Sequence, residues 1–179
     1  MEPTSFTSDR RLAVVVMGVS GSGKSTIAAG IAQLLSLDFI EGDELHSPTS
    51  VAKMKAGIAL ADEDRWPWLD RIAARLADKA RMPAGLVITC SALKRSYRDR
   101  IRRGAPGVRF VFLHGPRALV ESRLAARTGH FMPSTLLESQ LQTLEPPGPD
   151  EDDVLAFDIS RPPTAVIGLA VSALRAAAA

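Results

Sequence analysis

Short apolar runs alternate along the chain with stretches in which apolar residues return every three or four positions. Residues 12–17, with three consecutive valines, form the kind of unbroken apolar run that makes a parallel strand buried on both faces. Ile27, Ile31, Leu34 and Leu35 then recur at helical spacing. Residues 38–41, 86–89, 108–113 and 154–159 predict four further strands. Between the second and third, residues 50–81 carry an interrupted helical pattern. Gly57 breaks it, and Asp62 opens a second helix that sends Trp66, Trp68, Leu69, Ile72 and Leu76 toward one side, with both tryptophans expected in the core. Residues 94–103 predict a strongly basic helix, 116–127 a helix with proline in its first turn, and 164–176 a closing helix. Strands alternating with helices predict an α/β fold, an open parallel sheet with helices on both faces.

Residues 1–11 are polar and lack apolar periodicity, so a mobile tail is expected there, and residues 12–179 are expected to form a single domain. Residues 146–149, three prolines and a glycine, followed by the acidic run 150–153, predict a solvated loop. Most of the basic residues in 94–103 are likewise expected to form a solvated face.

Composition narrows the classes. Hydrophobic residues make up 46% and charged residues 23%, as in soluble globular proteins. A formal charge of +2 suits an anionic small molecule and gives no support for nucleic acid. The single cysteine, Cys90, excludes an intrachain disulfide. No apolar run approaches the roughly 20 residues that cross a bilayer, and the run at 12–19 is not followed by a cleavage pattern. A cytoplasmic location with no membrane partner is the expectation.

The chemistry begins at Gly18-Val19-Ser20-Gly21-Ser22-Gly23-Lys24-Ser25, which matches G-x-x-x-x-G-K-[ST] in full between a predicted strand and a predicted helix. Its glycines let backbone N–H groups turn inward around phosphate oxygens, and the helix after it presents its positive end to them. Lys24 is expected to reach the β- and γ-phosphates, the Ser25 hydroxyl to ligate Mg2+, and Thr26 to join the phosphate site. ATP and Mg2+ are therefore the expected cofactors. In open parallel sheets the ligand lies beyond the carboxyl ends of the strands, where Gly42-Asp43 and Cys90-Ser91-Ala92 also fall. Asp43 is placed to accept the proton of an attacking hydroxyl or to orient a magnesium-bound water, or alternatively to serve as a helix cap or turn residue.

Several further segments resemble the gluconate kinases. They are Gly42-Asp43-Glu44-Leu45-His46-Ser47-Pro48, Lys53-Met54-Lys55-Ala56-Gly57, Asp62-Glu63-Asp64-Arg65-Trp66-Pro67-Trp68-Leu69, Cys90-Ser91-Ala92-Leu93-Lys94-Arg95-Ser96-Tyr97-Arg98, and His130-Phe131-Met132-Pro133 with Ser139-Gln140 and Leu144-Glu145. The resemblance implies an ATP:gluconate 6-phosphotransferase with a P-loop fold related to nucleoside-monophosphate and shikimate kinases, a lid, and a homodimer. Ser47 stands where a proline is expected directly after the histidine, and no aspartate closes the strand at 86–89.

Gluconate is an anionic polyol, so its pocket calls for cations and polar groups. Arg65 is the first candidate for a bidentate carboxylate clamp, with Lys94 and Arg98, four apart on one predicted helix face, as alternatives. His46 and His130 are candidates for the hydroxyls. Arg123 and Arg127, again four apart, look like lid arginines that bring charge onto the nucleotide and the transferring phosphoryl group. Residues 160–163 are an adenine-contacting loop by the same resemblance. The competing readings are a kinase for another small acceptor, such as shikimate or a nucleoside monophosphate, and a nucleotide-binding regulator without an acceptor.

Overall fold

The computed structural model describes residues 11–78, 84–126 and 134–178. Most of the expected tail, the expected lid arginine Arg127 and the substrate-hydroxyl candidate His130 lie outside them. The chain runs β1 (Leu12–Met17), α1 (Lys24–Leu35), β2 (Asp38–Ile40), a 3-10 turn (Gly42–Leu45), α2 (Pro48–Lys55), α3 (Asp62–Ala77) and β3 (Gly85–Thr89). It continues through α4 (Arg95–Gly104), β4 (Arg109–His114), α5 (Arg117–Ala125), α6 (Ser134–Thr143), β5 (Val154–Asp158) and α7 (Pro163–Ala178). All strand pairs are parallel, in the order β2-β3-β1-β4-β5.

β1 lies at the centre, and its side chains divide by the period of two that a pleated strand imposes. Val14 and Val16 pack with Ile27, Ile31, Val166 and Leu174 on the α1–α7 face. Val15 and Met17 pack with Trp68, Ile72, Tyr97 and Ile101 on the α3–α4 face. Both faces are covered, which is why the strand is apolar without interruption. Trp68 is 1% exposed, as expected of a core residue, while Trp66 is only half-buried and packs edge-on to Tyr97.

Three expectations change. The pattern at 50–81 is two helices, as expected, with the second opening at Asp62, but the first begins earlier, at Pro48. Ser47, the residue that departs from the family pattern, is its N-cap: its hydroxyl accepts from the Ser50 N–H at 3.1 Å. Helix α6 has no counterpart in the sequence pattern read above, although Leu137, Leu141 and Leu144 recur in helical steps.

The third change concerns charge. The acidic loop is solvated only in part, since Asp150 and Asp152 are exposed and Glu151 is buried, and several basic residues of α4 are engaged by acids while Arg95 and Arg103 remain exposed. Glu151 is buried and accepts from Arg98 Nε and Nη2, both at 2.7 Å, while Arg102 bonds to Glu151, Asp153 and Asp99. Arg95 pairs with Asp150, and Arg100 reaches across to Asp70 on α3. The bonds from Arg98, together with Arg102, hold the Glu151 carboxyl down at about 2 against an ordinary 4.5.

Glu151→Gln keeps the shape of this site and leaves Arg98 without its anion, so a loss of about 3–5 kcal/mol in unfolding free energy is expected at neutral pH. A carboxyl depressed on folding contributes its stability above its unfolded pKa and loses it as the pH falls toward the folded value. The gap between wild type and variant in chemical denaturation is therefore expected to shrink from pH 4.5 toward about 2.

Candidate active site

Phosphate-binding geometry follows directly from the end of β1. Gly18, Gly21 and Gly23 have φ of 147°, 81° and 91°, values L side chains rarely adopt. Gly21 is also required by packing, since a Cβ there would lie 2.7 Å from Leu124 of α5. Helix α1 starts at Lys24 with no side-chain cap on Gly23, so its first N–H groups remain available to an anion. Ser25 and Thr26 are exposed at that helix end, and Lys24 Nζ donates to the Val19 carbonyl at 3.0 Å.

A cleft of about 180 Å³ opens beside the loop, lined by Thr26, Ile27, Arg123, Ile159, Arg161 and Pro163 among others. It therefore includes the loop that the resemblance assigns to adenine. Arg123 Nη2 donates to the Ile159 carbonyl at 2.8 Å, which holds this arginine against the β5–α7 connection. Ser22 Oγ is buried without a partner among the described residues, a polar atom left over on the wall of this cleft.

Across the crevice, the end of β2 is locked to the end of β3. Thr89 Oγ1 donates to Glu41 and accepts from the Gly42 N–H at 3.1 Å, and Trp68 Nε1 donates to the Gly42 carbonyl at 2.7 Å. A Cβ on Gly42 would lie 1.9 Å from the Thr89 carbonyl oxygen, so only glycine fits. The backbone entering Asp43 is thus fixed, while its carboxylate is 89% exposed toward solvent. His46 stacks on Trp68 with ring centroids 4.2 Å apart, and its Nε2 lies 4.0 Å from Asp43 Oδ1. Burial pushes the His46 pKa below its ordinary value despite the Asp43 charge, which keeps the ring neutral near pH 7.

The candidate cations separate clearly. Arg98 is not available to a substrate: it is 1% exposed, and beyond Glu151 it donates to the carbonyls of Ala92 at 3.2 Å and Glu145 at 3.1 Å. Ala92 has a φ of 42°, a strained value for a residue with a Cβ, and this bond helps to hold it. Lys94 is not on the helix but caps it in an extended conformation, and its ammonium pairs with Asp62 at 2.9 Å. The Tyr97 hydroxyl also donates to Asp62, and this bond, with that from Lys94, lowers the Asp62 pKa. Arg65 lies over the Tyr97 ring and donates to the Leu60 carbonyl at 3.3 Å, with no carboxylate partner among the described residues.

Cys90, directly after β3, has its thiol pushed up to about 12, chiefly by burial, which leaves it inert. Among the described residues no group of three or more His, Cys, Asp and Glu side chains could hold a metal ion. Gln140, Thr89 and Asp62 carry bonds that sequence reasoning did not assign. Gln140 and Asp62 stood in quoted motifs, and Thr89 directly precedes one.

Residues 14–147 match the family model described as an AAA domain. The thermosensitive gluconokinase of Escherichia coli K12 is 45% identical over 146 residues, covering 82% of this chain and 78% of the relative. The gluconokinase of Gluconobacter oxydans 621H is 49% identical over 138 residues, covering 77% and 78%. The crystal structure of a gluconokinase from Sinorhizobium meliloti 1021 superposes with a TM-score of 0.85 at 49% identity, over 94% of this chain and 95% of that one. Shikimate kinase from Aquifex aeolicus, at 15% identity and a TM-score of 0.57 over 92% and 97%, shares the fold alone.

Gly42→Ala tests whether the lock between β2 and β3 sets the site. It is expected to cut phosphoryl transfer by about 100-fold, the scale of an ångström-sized misplacement, because Asp43 must move. Nucleotide affinity, measured by titration of the same protein, is expected to hold, since the phosphate loop hangs from β1.

Proposed function

The chain belongs to the gluconokinase family, and from that premise we propose that it transfers the γ-phosphate of ATP to the 6-hydroxyl of gluconate. The observation that supports this best is a phosphate loop at the end of β1 together with an exposed Asp43 carboxylate whose backbone is locked to the end of β3. Lys24 leaves the Val19 carbonyl for the β- and γ-phosphates and meets charge that builds on the transferring group. Asp43 accepts the proton of the attacking hydroxyl, and its exposure in the crevice leaves it open to the acceptor. Arg65, unpaired with any carboxylate among the described residues, takes the gluconate carboxylate in a bidentate fork.

Arg123 and the loop N–H groups orient the nucleotide. Mg2+, with Ser25 as its protein ligand, neutralises phosphate charge when bound. No helix among the described residues is long and apolar enough to cross a membrane, and we propose a cytoplasmic enzyme.

Coupled measurement of ADP release with gluconate, glucose, shikimate and AMP tests the acceptor. Gluconate is expected to be preferred over glucose by about a thousandfold, because a cation set for a carboxylate is left unpaired by a neutral sugar. Equal rates with both acceptors, or ADP release that no acceptor stimulates, would overturn the proposal. Arg65→Met is expected to remove most of that preference with ATP affinity unchanged. Asp43→Asn is expected to lower kcat by roughly a hundredfold to ten-thousandfold, and a change confined to KM would make Asp43 a positioning residue instead.

A further inference from the structure

Helix α6 makes a contact with the phosphate loop that the proposed chemistry does not use. Gln140 Oε1 accepts from the Ser20 backbone N–H at 2.7 Å, and Gln140 Nε2 donates to Ser20 Oγ at 3.1 Å. The residues stand 120 positions apart, so no local turn imposes the contact. The loop it grips is built on glycines in the left-handed region, and such backbone takes much of its shape from outside restraints.

Inside the loop, the Val19 carbonyl accepts from the Ser22 N–H at 3.2 Å and from Lys24 Nζ at 3.0 Å. When Lys24 turns to a phosphate, the second of these bonds breaks. The Gln140 bonds then carry a larger share of what holds the Val19–Ser20 limb. The Ser20 N–H is already engaged by Gln140. At the far end of the same helix the chain is fastened to the acceptor side. The Glu145 N–H donates to the Leu93 carbonyl at 2.8 Å, and its carboxylate accepts from the Arg95 N–H at 2.7 Å. Helix α6 and the turn after it thus span from the phosphate loop to residues 93–95.

We propose that Gln140 is a positioning residue of the kinase: its paired bonds to Ser20 hold the phosphate loop in its nucleotide-binding shape while Lys24 changes partners. The proposal rests on the nucleotide role of the loop and not on the identity of the acceptor. A helix that only packed would affect stability. This contact acts on nucleotide affinity, and it acts through Ser20.

The test is a double-mutant cycle with Gln140→Ala and Ser20→Ala, reading the Kd of ATP by calorimetric titration, KM for both substrates, and Tm. Losing two hydrogen bonds of about 0.5–1.5 kcal/mol each corresponds to roughly tenfold weaker ATP binding in Gln140→Ala. KM for gluconate is expected to stay within about twofold. Ser20→Ala is expected to weaken ATP by about threefold alone and not further in the Gln140→Ala background, the signature of a shared contact. ATP affinity within twofold of wild type in folded Gln140→Ala overturns the proposal, as does strict additivity of the two changes. Should Gln140→Ala fail to fold, Gln140→Met, which keeps the bulk of the side chain and loses both bonds, takes its place with the same expected outcomes. ATP binding by wild type without gluconate-dependent turnover would overturn the acceptor assignment and leave this test standing.

Discussion

The contact between the ends of β2 and β3 is the constraint on which the acceptor side depends. Parallel register sets Ile40 beside Ile88 and Val16 beside Thr89, so the ends of three strands arrive at one edge of the sheet. Gly42 then passes so near the Thr89 carbonyl that no side chain is possible, and Thr89, Glu41 and Trp68 satisfy the polar groups around it. An exposed carboxylate is positioned by a buried backbone. Asp43 can be open to an acceptor and still be well placed, because its precision comes from the sheet and not from contacts to its own side chain.

A second buried device serves the other wall. Arg98 and Glu151 form an ion pair with both side chains 1% exposed, and the arginine also donates to the carbonyl of Ala92, between Ser91 and Lys94, and to that of Glu145, after α6. Buried pairs of this kind return little net stability, since desolvation offsets the attraction, but breaking one is costly. Its value here is geometric: it docks the loop after α6 onto α4 and holds the strained Ala92. Of the candidate cations, Arg98 serves structure, Lys94 pairs with Asp62, and Arg65 lies over Tyr97 without a carboxylate partner among the described residues.

The sheet and the phosphate loop were legible from residues alone, for a physical reason. A strand buried on both faces must be an unbroken apolar run, and a backbone that wraps phosphate must carry glycine at set positions. Strand ends shifted by a residue, at Gly85 and His114 for example, because ladder hydrogen bonding and not hydrophobicity decides them. Helix α6 was missed, as Leu137 is its single fully buried apolar residue among those described, too few for a clear period. The Arg98–Glu151 pair spans 53 positions, and a charged residue gives no local sign of whether its partner is water or a distant side chain. Ser47 was conspicuous as a departure, and its capping role became plain only with the helix behind it.

The central claim is that the edge formed by β1, β2 and β3 joins a phosphate donor to a hydroxyl at the far end of a sugar acid. The most direct measurement is phosphorus NMR of the product after wild-type protein is incubated with ATP, Mg2+ and gluconate. The expected result is one phosphomonoester, coupled to the protons on carbon 6 of gluconate, in amounts equal to the ADP formed. Phosphate on a different hydroxyl, or ADP accompanied only by inorganic phosphate, would contradict it.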